Sequence, residues 1–231
     1  MIVNFRSAVF FLLGVSVLLA PLLLAAWFSL CPQFGNPQCP TSADTNSALL
    51  AFKADSPTLM GIFLTVNTIV PYVYPLSYLG LGYLSAKRSP IFSAGGVIAG
   101  WFGSIAWGFI GAAIFVYYDA ANLLPSSNAT TLMNSIYLHW QIYYIVATGW
   151  VLGHLFGYVL LGIALYRSRI IPRWASALLI ISAPLMGPFA YGLNNGWLQV
   201  AGYLLVLIAC IPVANSLITD NKNDFSRQVM K

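Results

Sequence analysis

Glutamate is absent from this chain, and its acids are five aspartates, Asp44, Asp55, Asp119, Asp220 and Asp224. So few carboxylates leave little material for carboxylate catalysis or for hard-cation sites. Charged residues of every kind make up 6% of the sequence. A soluble domain carries roughly 25%, because its surface must be hydrated. Hydrophobic residues reach 59% of the 231. A chain of this make-up cannot cover itself with polar surface, so its outer face meets lipid. Catalytic signatures are missing too. There is no His-Glu-x-x-His, no Gly-x-Ser-x-Gly and no phosphate-binding Gly-Lys-Ser loop. With no nucleophile–base pair visible, an enzyme ranks behind a binding or scaffolding protein.

What is present is long apolar sequence. Six segments, roughly 8–30, 58–84, 91–118, 137–166, 173–191 and 197–218, are each about long enough to span a bilayer as a helix. They are apolar on all sides, which excludes the alternating strands of a membrane barrel. The expectation is an all-α, six-transmembrane-helix bundle, with one domain over 1–218 and a cytoplasmic tail over 219–231.

The net charge of +5 serves orientation rather than nucleic-acid binding. If six helices alternate in direction, nine of the ten basic residues share one side: Arg6, Lys87, Arg88, Arg167, Arg169, Arg173, Lys222, Arg227 and Lys231. Only Lys53 falls opposite. The positive-inside bias then places both termini in the cytoplasm. The first apolar run is too long for a signal-peptide core. Outside, Cys31 and Cys39 share a proline-rich segment, and an oxidising exterior would favour a disulfide between them. Cys210 sits within the sixth segment.

The stretch from Gly162 to Trp174 runs Gly-Ile-Ala-Leu-Tyr-Arg-Ser-Arg-Ile-Ile-Pro-Arg-Trp. It resembles a turn in uncharacterised families of small bacterial polytopic membrane proteins, where a basic Tyr-Arg-Ser turn ends one helix and Ile-Pro-Arg-Trp opens the next. The resemblance covers the fourth and fifth segments. It implies about six helices in a bacterial plasma membrane and no particular activity. A second, internal likeness links Ser77–Gly82, followed by Lys87, to Gly157–Gly162, followed by Arg167.

Small residues form two stripes. Gly96, Gly100, Ser104, Gly108 and Ala112 recur every four residues in the third segment, as do Gly149, Gly153 and Gly157 in the fourth. Such faces let helix backbones approach closely in lipid. They predict a contact between the two segments, or alternatively a docking face for another subunit or a flat ligand.

Polar residues inside apolar segments mark the candidate site. Asn67, Pro71 and Pro75 lie in the second segment, with Tyr72, Tyr74 and Tyr78 around them. Each proline removes a helix hydrogen bond and frees a carbonyl. The two histidines, His139 and His154, are fifteen residues apart on the fourth segment. On a helix that separates them by about 22 Å in height and about 60° in direction, so they cannot share a metal ion. His154 should lie at mid-membrane, neutral, and in need of a polar partner. The expected contacts are Tyr74, Ser104 or a ligand, with Asn67 on the route in from outside. Axial ligation of a haem or chlorin by His154 is a minor alternative. The sequence names no cofactor.

Two functions follow. The first is a membrane protein that binds or moves a small, amphiphilic ligand within the bundle. The second is a non-enzymatic accessory subunit that docks other membrane proteins through its Gly/Ser/Ala faces. The lipid bilayer is a partner in both, and nucleic acid in neither.

Overall fold

The computed structural model describes residues 5–30, 57–125, 127–129, 131–132, 135, 140–193 and 195–229. Among the described residues there is no β-strand. The helices are α1 (Phe5–Leu30), α2 (Pro57–Ala86), α3 (Pro90–Leu123), α4 (Trp140–Ser168), α5 (Arg173–Pro184), α6 (Ala190–Gly192) and α7 (Gly196–Val229). Five stretches are long and apolar enough to cross a membrane: Ser7–Leu30, Pro57–Ala86, Pro90–Ala120, Thr148–Ser168 and Gly196–Thr219. The outer face of the bundle is correspondingly greasy. Ile98, Phe102, Ile105 and Phe109 follow one another at helical spacing on α3, and each is more than half exposed.

The segment expected as one helix over 173–191 is interrupted. Between α5 and α6 lies a π-helical turn, Leu185–Phe189. The cause is in its prolines. Pro188 has no N–H to donate to the carbonyl four residues back, at Pro184. The ladder widens instead, and the Ala190 N–H bonds to the Leu185 carbonyl as well as that of Gly187. At the other end of the chain, the stretch set aside as a tail from 219 continues α7 as far as Val229. No glycine or proline follows Pro212 to break it.

Helix α1 runs antiparallel to α7. Gly14 lies against Ile218, and Phe28 stacks on Tyr203 with ring centroids 5.3 Å apart. Gly80 of α2 packs at the level of Val17 and Leu217, so the Ala86 end of α2 shares an end of the bundle with the start of α1 and the later part of α7. The turn that follows α2 also meets the end of α4. The Arg88 guanidinium donates to the Ser168 carbonyl, and Arg167 sits 5.2 Å from the centre of the Phe92 ring.

Helices α3 and α4 form the most extensive helix pair. A Cβ on Gly153 would stand 2.6 Å from the Ala99 carbonyl oxygen and 2.7 Å from the Gly103 nitrogen. A Cβ on Gly157 would come within 3.1 Å of the Gly100 backbone. Backbones this close exclude side chains, which is how small residues hold helices together in lipid. Gly149 reaches only the Ala106 methyl, 3.7 Å from where its Cβ would be, and Gly96 packs on Leu161. The contact does not follow the whole four-residue stripe of α3. A repeat of four drifts about 40° per step around a helix of 3.6 residues per turn. After Gly96 and Gly100 the seam therefore moves to Gly103, and Gly108 has no atom within 4 Å of a Cβ position.

Candidate functional site

Three helices each supply a pair of polar side chains one turn apart. Tyr74 and Tyr78 lie on α2, His154 and Tyr158 on α4, and Gln199 and Tyr203 on α7. Residues four apart share a helix face, and all six are buried. They converge on the His154 imidazole. The Tyr78 hydroxyl lies 2.7 Å from Nδ1. At Nε2 the Tyr203 hydroxyl lies 3.0 Å away and the Tyr74 hydroxyl 3.3 Å away. Tyr74 is also 2.6 Å from the Tyr158 hydroxyl.

A neutral imidazole has one N–H donor and one acceptor nitrogen. A tyrosine hydroxyl both donates and accepts, so with Tyr78 at Nδ1 and with Tyr203 and Tyr74 at Nε2 either tautomer finds a partner at both nitrogens. Each bond is worth about 0.5–1.5 kcal/mol net, and the larger effect is the penalty avoided by not burying an unpaired imidazole.

The α3 glycines make room for this arrangement. The Tyr78 ring lies on Gly100, where any Cβ would collide with it, and its far edge touches the Gly157 position. His154 is braced by a file of aromatic rings. Trp150 stacks on it with centroids 4.3 Å apart and planes 27° apart. Trp107 meets Trp150 at 4.5 Å, Trp27 meets Trp107 at 4.7 Å, and Phe63 stacks on Trp27 at 4.9 Å. Sequence reading named neither this file nor Tyr158, Gln199 and Tyr203 as site members. The signal available for Tyr158 was its place four residues after His154, and for Gln199 and Tyr203 their own four-residue spacing.

Beside His154 is a small cavity of about 10 Å3, lined by Phe28, Trp150, His154, Met186, Gln199 and Tyr203 among others. That is room for about one water-sized group. Met186 comes from the π-helical turn, so the irregular backbone forms part of the wall. The Gln199 Oε1 atom is buried and has no hydrogen-bond partner among the described residues.

The other expected site residues are placed elsewhere. Ser104 is buried, but its hydroxyl donates to the Gly100 carbonyl in its own helix, 2.8 Å away, rather than to His154. The reason is local: a serine hydroxyl reaches the carbonyl one turn back. Asn67 joins α2 to α3, its Nδ2 donating to the Gly111 carbonyl at 3.2 Å. Tyr72 faces outward, 73% exposed. His139, Cys31 and Cys39 lie outside the described residues, and Cys210 is a buried free thiol. For haem or chlorin ligation His154 is poorly disposed. Both ring nitrogens face tyrosine hydroxyls, and the adjoining cavity is far smaller than a macrocycle. Among the described residues, no three His, Cys, Asp or Glu side chains converge as a metal site.

No family model, curated protein or solved structure matches this chain. Its functional reading therefore rests on its own geometry.

Proposed function

We propose that this chain is a six-span membrane protein of a bacterial plasma membrane, with both termini in the cytoplasm, that binds a small amphiphilic ligand by its polar end at His154. The apolar α5, the π-helical turn and α6 together would make the remaining span, which the interruption by Pro188 divides. The shared side of nine of ten basic residues supports the orientation, as does the meeting of the Arg88 and Arg167 turns. The resemblance of the Tyr-Arg-Ser/Ile-Pro-Arg-Trp turn supports the bacterial setting.

The observation that carries the ligand reading is the imidazole itself. A histidine 2% exposed in an apolar bundle, held on three sides by tyrosines and open on one to a cavity, is an expensive arrangement to keep without use. The alternative, an accessory subunit docking through small-residue faces, needs a stripe without intramolecular partners. Gly96, Gly100, Gly153 and Gly157 have such partners, and the only open stripe glycine among the described residues is Gly108.

The test is mass spectrometry of small molecules co-extracted with the detergent-purified chain. A bound species is expected whose occupancy falls about tenfold or more in His154→Leu and is kept in His139→Leu. Equal retention by the two variants, both folded, would overturn the reading.

A further inference from the structure

We propose that Gln199 is the specificity-determining residue of this site, and that the group it selects is a single neutral hydroxyl. The inference rests on the ligand reading of His154 and adds the chemistry of what is bound. Three observations lead to it. The Gln199 Oε1 atom is a buried acceptor without a partner among the described residues, on a side chain 2% exposed. Gln199 lines the cavity beside His154 and one helical turn from Tyr203. The space there holds about one water-sized group.

An unpaired buried acceptor is costly, so what enters must donate a hydrogen bond. A ketone, ether or quinone carbonyl only accepts and leaves Oε1 unserved. A site built around one hydrogen bond discriminates strongly against a ligand that lacks it. An ammonium or carboxylate donates or accepts well, but none of the lining side chains carries a charge to pair with it, and an unpaired ion in an apolar bundle is expensive. Phe28, Trp150 and Met186 supply apolar wall around the polar point. The group that fits is an O–H, which gives its hydrogen to Gln199. It has two sources, a water molecule or the hydroxyl end of a long-chain alcohol.

Two measurements on the full-length protein in micelles separate these sources. In the first, a photoactivatable octanol bearing a diazirine is crosslinked and its adducts are mapped. In the second, the imidazole N–H of His154 is observed by NMR in [15N]histidine-labelled His139→Gln protein, and its cross-peak to water is recorded. Gln199→Met and Gln199→Leu remove the acceptor with little change of volume, and gel filtration verifies that each folds. Octanol adducts at Trp150 or Met186 that fall about tenfold in both variants establish an alcohol hydroxyl. Absence of adducts, with a water cross-peak that disappears in Gln199→Met, establishes water. Adducts or a cross-peak unchanged in both Gln199 variants overturn the role of Gln199. If His154→Leu nonetheless abolishes the adducts, ligand binding at His154 stands without it. If the native protein shows neither adduct nor cross-peak, both readings fall.

Discussion

The Tyr78 hydroxyl is hydrogen-bonded to Nδ1 of His154 across 2.7 Å, linking α2 to the middle of α4. Tyr78 is thus the side-chain partner of Nδ1 and helps hold the imidazole in place.

Tyr78→Phe keeps the ring over Gly100 and removes only the hydroxyl. A buried nitrogen left unserved costs about 1–3 kcal/mol. The expected outcome is a lower unfolding midpoint in a denaturant titration, while Tyr72→Phe, on the exposed side of α2, leaves it unchanged. Equal midpoints for native protein and Tyr78→Phe would mean that the bond contributes nothing.

Gly153 stands where α3 and α4 come closest. Gly153→Leu must push the Ala99 and Gly103 backbone away, with a loss on the order of 3 kcal/mol or more, as overpacking against an unyielding neighbour gives. Gly108→Ala meets open space and is expected to be neutral or slightly stabilising. Comparing the folded yields of the two variants checks the contact, and similar yields would refute it.

Orientation is open to cysteine labelling in a cysteine-free background. Cysteines at Asp44 and Ser127 should react with an impermeant reagent from outside intact cells, and one at Lys87 only after lysis. Ser127 is exposed. Labelling of Lys87→Cys from outside would invert the topology.

Cys31 and Cys39 lie outside the described residues, and their bond remains an expectation of the sequence. Closing so short a loop would add on the order of 2–3 kcal/mol. Under non-reducing denaturing conditions a single thiol per chain, that of Cys210, should react. Three reactive thiols would show that the bond does not form.

Much of the architecture was readable from composition and periodicity alone. Apolar runs of spanning length report helices directly, because lipid forces every backbone group to be satisfied within its own segment. The break at Leu185–Phe189 was less legible. Prolines at 184 and 188 signal a disturbance but not whether a helix kinks, ends or widens. The site was half legible. His154 and Tyr74 stand out as polar residues in apolar runs. Tyr203 and Gln199 do not, since which side of α7 faces α4 depends on packing with α1 and α5. Ser104 looked available because its depth is right, but depth says nothing about a carbonyl one turn away that takes its hydrogen. The likeness between Ser77–Gly82 and Gly157–Gly162 aligns Tyr78 with Tyr158, and the two rings meet with centroids 5.4 Å apart.

The gathering of polar groups from three helices onto one imidazole also bears on how the chain is assembled. A helix enters the bilayer before it packs, and synthesis proceeds from the N-terminus. When α4 arrives it brings an imidazole that lipid cannot solvate, but α2, with Tyr74 and Tyr78, is already there to receive it. The order of the helices along the chain therefore delivers two of the tyrosine partners before the histidine. Gln199 and Tyr203 follow on α7, so the cavity is closed only after α4 is in place.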